Sequence, residues 1–415
     1  MPRHGPHPIR FAVLIIPFGA AFGMVQSALP ALATQNGIAE ATAIEIVGST
    51  YLVHTLKPLW APLLDTTLTR RAWYLIGNAL VSLGILAVMS LPISPSGIGF
   101  LWSVVLASQV GLSVMGMTVE GFLGLAVPDE EKGSASGWFN AGYLGAVGVG
   151  AWLLLKLSEW LPARWMAGAV VAALMLPCSF ALVGLRIPPA DEHAPSFWES
   201  LRQLGRDLVA QVKSRPGLTG LIIAISPVGA AAAQNAFSAI AGRWGIGASY
   251  ELHALGTTFD SFDVIGAVNG LGQALLSGAG ALVGGWLSDR MPRRLAYFCA
   301  GLALAVTAAA MALAPRDPLA WVVLGSIYNF FAGVALAAFT SFVLETIGRG
   351  AVATKYNIFA GVANLGIWYT TTLDQLALDR GGPVWGTSAL LFTDAGLSVL
   401  GCTLVLAIFL RSRRA

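Results

Sequence analysis

The sequence contains little charge for its length. Of its 415 residues, 11% are Asp, Glu, Lys or Arg, which is about half the charged fraction of an ordinary soluble domain. Hydrophobic residues make up 56% of the chain. This composition excludes a typical soluble globular protein and indicates a polytopic membrane protein.

Residues suited to metal or covalent chemistry are also scarce. The three cysteines, Cys178, Cys299 and Cys402, lie in three different apolar runs, and the five histidines show no metal-ligand spacing. No nucleophile stands beside a base, and no Gly-x-x-x-x-Gly-Lys-(Ser/Thr) loop for nucleotide phosphates occurs. We therefore predict no metal, no cofactor, no enzymatic activity and no use of ATP by this chain.

Long apolar runs fill most of the sequence. Runs of about 18 to 25 residues are long enough to cross a bilayer as helices. They fall near residues 11–33, 43–63, 73–92, 98–126, 136–158, 164–186, 217–240, 263–286, 295–314, 319–345, 353–374 and 387–410. The sequence thus predicts an all-α protein with twelve transmembrane helices. The first run lacks a cleavage site of small residues and is predicted to be the first span.

Most Lys and Arg residues fall in alternate loops, on the side that also holds both termini. Arg70 and Arg71 follow the second run, and Arg290, Arg293 and Arg294 follow the eighth. Cytoplasmic loops are enriched in Lys and Arg, so both termini are predicted to be cytoplasmic. The net charge of +3 is then a sign of membrane topology, and no nucleic-acid partner is expected.

A polar interval divides the chain after the sixth run. We predict an N-terminal six-helix bundle at residues 1–186, a linker at 187–216 and a C-terminal six-helix bundle at 217–415. Hydrophobic residues recur within the linker at helical spacing, and they are Phe197, Leu201, Leu204, Leu208 and Val212. This amphipathic helix either lies on the inner membrane surface or packs between the two bundles.

Charged landmarks of the first bundle recur in the second. Asp65 and Asp289 are 224 residues apart, and Glu120 and Glu345 are 225 residues apart. Arg70-Arg71 and Arg293-Arg294 are 223 residues apart. Acidic residues at such positions are rare in this chain, so chance is a poor explanation for three similar offsets. The pattern indicates two homologous halves related by an axis along the membrane normal.

Two sequence motifs resemble those of known transporters. The loop from Gly285 to Arg294 resembles the signature of major facilitator transporters, Gly-x-x-x-Asp-Arg-x-Gly-Arg-Arg, with Pro292 in place of the usual glycine. The stretch Lys57-Pro58-Leu59-Trp60-Ala61-Pro62-Leu63-Leu64-Asp65 is similar to one in the group of AmpG muropeptide permeases and acetyl-coenzyme A transporters. Segments at 120–133, 142–145, 262–270 and 353–356 extend this likeness, and siderophore permeases of the pyochelin type are similar to the same group.

The resemblance implies a secondary transporter of the bacterial inner membrane. Such a protein would import a polar organic solute, muropeptide-like or a siderophore, together with protons and by alternating access. Its partners would be the small-molecule substrate, protons and membrane lipid, and we expect a monomer. The fifth run lacks the Gly-Pro element usual in drug and proton antiporters, which favours import. The alternative from another class is a non-transporting assembly factor for membrane complexes.

The resemblance also implies a gate of charged residues at the cytoplasmic ends of the helices. This network would hold the two halves together in the outward-open state. Its predicted members are Asp65, Arg70, Arg71, Glu120, Gly285, Asp289, Arg290, Arg293, Arg294 and Glu345. We favour the gating role for the two glutamates over the alternative that one of them carries the coupling proton.

Polar residues inside the apolar runs are candidate substrate ligands, because each is costly in a bilayer unless it faces protein or water. The predicted set is His54, Lys57, Gln109, Gln234, Asn235, Asn269, Gln273, Tyr328, Asn329, Asn364 and Trp368. Lys57 either faces a cavity or extends to the membrane surface, and single amides could instead join helices. Asp394, in the last run, is predicted to serve packing or an ion pair at the outer interface.

Overall fold

The computed structural model describes residues 6–38, 40–185, 197–246, 250–254, 257–347 and 352–412. We call residues 6–185 the first half and residues 215–412 the second half. The helices of the first half are α1 (Ile9–Gly23), α2 (Leu29–Gln35), α3 (Glu40–Thr55), α4 (Ala61–Thr66), α5 (Arg70–Ser90), α6 (Ile98–Ala126), α7 (Lys132–Trp160) and α8 (Arg164–Met175).

Helix α9 (Phe197–Lys213) precedes the second half and contacts α4 and α10. The helices of the second half are α10 (Arg215–Ile225), α11 (Phe237–Ile240), α12 (Ser261–Gly266), α13 (Gln273–Arg290), α14 (Arg293–Leu313), α15 (Pro318–Ile347) and α16 (Val352–Ser412). Helix α16 has two limbs, because Gly382 takes a φ of 65° that kinks the chain. A short antiparallel hairpin, which was not expected from the sequence, pairs β1 (Glu251–Ala254) with β2 (Thr257–Asp260).

Nine helices among the described residues are long and apolar enough to cross a membrane. They are Ile9–Ala33, Arg70–Ser90, Ile98–Ala126, Lys132–Trp160, Arg164–Leu182, Asp263–Arg290, Arg293–Leu313, Pro318–Thr346 and Val384–Ile408. The chain is therefore a multi-pass membrane protein of all-helical architecture. The other three predicted spans, near 43–63, 217–240 and 353–374, are interrupted or polar, so the count of twelve stays a prediction.

Each half packs mainly by contacts between its own long helices. In the first half α1 packs against α7, and α5 packs against α6 and α8. In the second half α13 packs against α15, and α14 packs against α15 and α16. The halves also meet, because α7 runs along α13 and α3 contacts α16.

Small residues bring the backbones of α1 and α7 close together. A Cβ atom added at Gly142 would overlap the carbonyl oxygen of Ala12, and one added at Gly150 would lie 2.7 Å from the Cα atom of Ala20. Both approaches are closer than van der Waals contact. Glycine is thus required at these two positions of α7, as expected where membrane helices associate by close backbone contact.

Regular helix is interrupted where the predicted seventh span should continue. Helix α10 ends at Ile225, before Ser226 and Pro227, and proline has no N–H to continue the helical hydrogen bonds. Gly229 then has a φ of 64° and Ala231 a φ of 49°, a left-handed conformation that costs energy for a residue with a Cβ atom. A 3-10 turn at Ala232–Ala236 follows.

Two further interruptions are π-helical turns, Met24–Ala28 after α1 and Ala267–Gly272 before α13. A 3-10 turn at Lys57–Leu59 interrupts the predicted second span. Such turns release one or more backbone groups from the regular pattern and commonly occur at functional sites.

The close contact at Gly142 predicts a position-specific loss of stability. Gly142→Ala should cost about 1–3 kcal/mol, because the new methyl group forces α1 and α7 apart, and it should lower the melting temperature of the purified protein in detergent. Gly145→Ala on the same helix is the control, since a Cβ atom there meets nothing within 4 Å. Equal melting temperatures for the two variants would contradict this packing.

Candidate functional site

A cavity lies between the two halves and is lined by residues of both. Its volume is about 200 Å³. Both halves line it with aromatic rings and polar groups. The polar and hydroxyl-bearing lining residues are Gln26, Tyr51, His54, Lys57, Glu120, Asn140, Tyr143, Ser226, Gln234, Asn235, Gln273, Tyr297, Thr340, Tyr356 and Asn364.

An ion pair lies in the cavity wall of the first half. Lys57, in the 3-10 turn after α3, is 3% exposed, and its Nζ atom lies 3.5 Å from Oε1 of Glu120 on α6. The same Nζ atom lies 5.4 Å from the centroid of the Phe18 ring, a cation–π distance. Oε2 of Glu120 has no hydrogen-bond partner among the described residues. The pair is thus long and incompletely satisfied, so its groups can respond to a ligand.

His54 is held next to this pair by an amide and two rings. Its Nε2 atom lies 3.1 Å from Oε1 of Gln109, and an oxygen acceptor there assigns the proton to Nε2. Its Nδ1 atom has no partner among the described residues. The rings of Phe18 and Phe22 lie 5.7 and 5.8 Å from the imidazole. The arrangement leaves one imidazole nitrogen as an unused acceptor in a largely aromatic wall.

Amide side chains connect the two halves across the cavity. Gln26, in the π-helical turn after α1, donates from Nε2 to Oδ1 of Asn235 at 2.9 Å. Asn235 belongs to the 3-10 turn after the interrupted α10, and its Nδ2 donates to Oγ1 of Thr371 at 3.0 Å. The neighbouring Gln234 donates to Oδ1 of Asn329 at 2.6 Å. Both interruptions of regular helix therefore bring amides to the cavity.

The halves are joined at the end of the molecule that carries the Gly285–Arg294 loop, which we call the loop end. Asp289 accepts hydrogen bonds at Oδ2 from the backbone N and the Oγ of Ser134, at 2.8 and 2.7 Å. Ser134 lies in the first turn of α7, where helical N–H groups lack partners and favour an anion. A Cβ atom at Gly133 would lie 2.7 Å from the backbone carbonyl oxygen of Gly285, so this close contact requires a glycine.

The two halves are also joined at the other end of α7, which we call the opposite end. Lys156 Nζ lies 3.1 Å from Oδ1 of Asp263 in the second half and 3.1 Å from Oε2 of Glu159 in its own helix. A Cβ atom added at Gly148 would overlap the carbonyl oxygen of Gly270. The cavity thus has a contact between the halves on either side of it.

Six of the predicted substrate ligands line the cavity, and they are His54, Lys57, Gln234, Asn235, Gln273 and Asn364. Gln109 and Asn329 lie behind the wall, where each holds a lining residue by a hydrogen bond. Tyr328 and Asn269 are buried outside the lining, and Trp368 is 38% exposed. All eleven remain predictions as substrate ligands, but only the first six lie where a solute in this cavity would touch them.

The predicted gate residues are dispersed. Glu120 lies in the cavity with Lys57, and Glu345 lies 3.8 Å from Arg293 of its own half. Arg290 and Arg294 stack on Trp286 and Phe342, also in the second half.

In the first half, Arg71 donates to the carbonyl oxygen of Leu185 at 2.7 Å. The side chain of Asp65 lies outside the described part of the chain, and Arg70 begins α5. Two members of the predicted gate, Asp289 and Gly285, contact the first half directly through α7.

Sequence reasoning missed much of the aromatic wall and one acid. Phe18, Phe22 and Tyr143 line the cavity, yet aromatic residues in apolar runs carry no signal of which face they occupy. Asp374 is buried, with only 2% of its surface exposed. In the sequence, Asp374 is an acidic residue at the end of a predicted span. Acidic residues are equally common in the adjoining loops, so its position did not single it out.

Comparison with known proteins agrees with this architecture. A family model described as Major Facilitator Superfamily matches residues 11–234. The fold is similar to that of the human organic anion transporter MFSD10 (TETRAN), with a TM-score of 0.68, 16% sequence identity and coverage of 96% of this chain and 100% of that one.

Two other solved structures are also similar. The E. coli fucose:proton symporter FucP has a TM-score of 0.64, 16% identity and coverage of 97% of this chain and 98% of that one. A POT family transporter in complex with a thioalcohol-conjugated peptide has a TM-score of 0.68, 14% identity and coverage of 98% and 96%. Identities this low show the fold alone. No curated protein matches the sequence at a significant level.

The buried ion pair predicts a double-mutant rescue. Lys57→Met or Glu120→Gln alone should destabilise the protein by about 3–5 kcal/mol, because each leaves an unpaired charge in a buried site. The double variant should lose less than either single variant, as measured by unfolding in detergent. As a control, Glu345→Gln should cost under about 1 kcal/mol, because the Glu345 side chain is 58% exposed. Additive losses in the double variant would contradict the pairing.

Proposed function

Because the chain belongs to the major facilitator superfamily, we propose that it is a secondary active transporter that imports a polar organic solute by alternating access. The observation that carries this proposal is the position of the cavity. It lies between the halves, with contacts between the halves on both of its sides. A solute bound there would leave by whichever end opened.

We also propose a membrane topology of twelve spans with both termini in the cytoplasm. These spans would divide the chain into bundles at 1–186 and 217–415, joined by the segment 187–216. Three predicted spans are not among the nine long apolar helices, and they lie near 43–63, 217–240 and 353–374. Each of them contributes residues to the cavity lining. Their polar residues and interruptions then have a functional reason.

Two closures would alternate in this mechanism. At the loop end, which the proposed topology places in the cytoplasm, Asp289 holds the first turn of α7. At the opposite end, Lys156 holds Asp263. Both contacts join α7 to the segment around α13 and both are formed in this structure, so a rocking of the halves would break one while the other stayed closed.

The chemistry of the cavity favours a solute with several hydrogen-bonding groups and an acidic group. Amides at Gln26, Asn235 and Gln273 can both donate and accept hydrogen bonds. A carboxylate of the solute could replace Glu120 as the partner of Lys57, since the present pair is 3.5 Å long. Muropeptides and carboxylate siderophores both carry such groups, and we propose this substrate class, taken up with protons across a bacterial inner membrane.

Transport is tested directly in proteoliposomes with an imposed inward proton gradient. The purified protein should accumulate a muropeptide or a siderophore of the pyochelin type, and a protonophore should abolish the accumulation. Liposomes without protein are the control. The absence of uptake for every candidate solute would contradict the proposal and favour a role as an assembly factor for membrane complexes.

The two closures predict opposite changes in access to the cavity. A cysteine introduced at Ala363, which lines the cavity, serves as the reporter, and the exposed native Cys299 is changed to serine. A membrane-impermeant maleimide is then added on one side of the membrane or on the other, and the labelling of the reporter is measured. Asp289→Ala should increase labelling from the loop end, because it removes the cap of α7. Asp263→Ala should increase labelling from the opposite end.

The matched control for both variants is Glu345→Ala, which breaks a contact within one half and should leave labelling unchanged. Equal labelling from both sides in all three variants would contradict the assignment of the closures.

A further inference from the structure

Two buried aspartates lie behind the cavity wall of the second half, one on each limb of α16. Asp374 is 2% exposed and Asp394 is 1% exposed. They are close enough for their carboxyl groups to interact electrostatically. Neither lines the cavity, and neither has a part in the function proposed above.

The carboxyl group of Asp394 is satisfied by two elements that pack against it. Tyr328 of α15 donates its hydroxyl to Oδ2 at 2.8 Å. The backbone N–H of Ala233 donates to Oδ1 at 3.4 Å. Ala233 lies in the 3-10 turn that follows the left-handed Ala231. Asp394 thus holds the start of this turn, where an anion is favoured because the first N–H groups lack helical partners.

Asp374 is in the opposite situation. Neither of its carboxyl oxygens has a hydrogen-bond partner among the described residues, and no described Lys, Arg or His forms an ion pair with it. Among the described residues, the charged group that acts on Asp374 is Asp394, and the titratable group that bonds to Asp394 is Tyr328. An uncompensated carboxylate is costly in a buried site, so Asp374 requires either a proton or a cation.

A proton suits the site better than a metal ion. A hard cation takes about six or more oxygen ligands, and the described residues contain no group of three or more His, Cys, Asp or Glu side chains that could hold one. A proton on the carboxyl group removes the buried charge without any further ligand.

The pair is connected to the cavity by a short series of contacts. Thr371 lies one helical turn before Asp374 and accepts a hydrogen bond from Asn235, which lines the cavity and bonds to Gln26 of the first half. The turn capped by Asp394 also contains Gln234, another lining residue. A change in charge at the pair therefore acts on the residues that join the halves.

We propose that Asp374 and Asp394 form a proton-binding site, in which Asp374 takes up and releases the proton coupled to transport. With the proton bound, the pair carries one negative charge and Asp394 caps the turn at Ala233. When the proton leaves, both buried carboxyl groups are charged, and their repulsion loosens the cap and the amide contacts in front of it. The coupling role rests on the proposed function, whereas the binding of a proton does not.

Infrared spectroscopy of the purified full-length protein tests the proton site without a known solute. At neutral pH the protein should show the C=O stretch of a protonated carboxylic acid. Asp374→Asn should remove this band, and Asp374→Glu should shift its frequency. The Glu variant also tests the site if the Asn variant folds poorly. Asp379→Asn is the matched control, since Asp379 is exposed on the same limb of α16, and it should keep the band.

Two results would overturn the proton site. One is a band that persists unchanged in both Asp374 variants. The other is a wild-type melting temperature that rises with sodium chloride but not with choline chloride. If this rise were absent in Asp374→Asn, the site would be assigned to a metal cation.

Transport measurements test the coupling role separately. Asp374→Asn should lose accumulation driven by a proton gradient but keep exchange of solute across the membrane without a gradient. Loss of both, in a variant that melts like the wild type, would overturn the coupling role. If the wild type transports no candidate solute while the infrared band is present and sensitive to Asp374, the proposed function fails and the proton site stands.

Discussion

A bilayer supplies no hydrogen-bond partner to an open peptide group, and this constraint explains where the chain departs from regular helix. Unpaired backbone groups are tolerated at membrane depth only where they face protein or a water-filled cavity. The interrupted stretch from Ser226 to Ala236, the π-helical turn Met24–Ala28 and the turn at Lys57 all have residues in the cavity lining. The cavity and the irregular backbone therefore depend on each other.

Much of the fold could be predicted from the sequence, because the helices follow from the length of the apolar runs and the superfamily from the resemblance of the Gly285–Arg294 loop to its signature. The fold of the superfamily and the membrane-spanning nature of the chain are confirmed. The AmpG group remains a prediction. The interrupted α10 could have been read from Pro227 and Gly229, but the run around them is apolar enough to be taken as one continuous span.

The site was less accessible to sequence reasoning. Lys57 and His54 were identified as cavity candidates because polar groups in apolar runs are few. The partner of Lys57 was not identified, since the pairing with Glu120 depends on how α6 is rotated about its axis. The same limitation applied to Asp394, which was assigned to packing or to an ion pair at the outer interface, although it holds the turn that presents Gln234 and Asn235. Helical periodicity predicts which residues share one face of a helix. The residues that this face contacts depend on how the helices pack.

The two halves contribute different chemistry to the account. The first half supplies an ion pair and an aromatic wall, which suit recognition of a charged solute. The second half supplies the interrupted helix and, behind it, two carboxyl groups, which suit a response to protons. Gln26 and Asn235 lie between these regions and are hydrogen-bonded across the cavity. Binding of solute and binding of a proton would then act on one shared contact.

The central claim, that the two closures alternate, is tested most directly by distances at both ends of the same protein. With the exposed Cys299 replaced by serine, spin labels at Leu68 and Pro292 report on the loop end, and labels at Ser90 and Leu313 report on the opposite end. Double electron–electron resonance should give two populations for each pair, with conditions that lengthen one distance shortening the other. A single unchanging distance at either end, or lengthening at both ends together, would contradict the account.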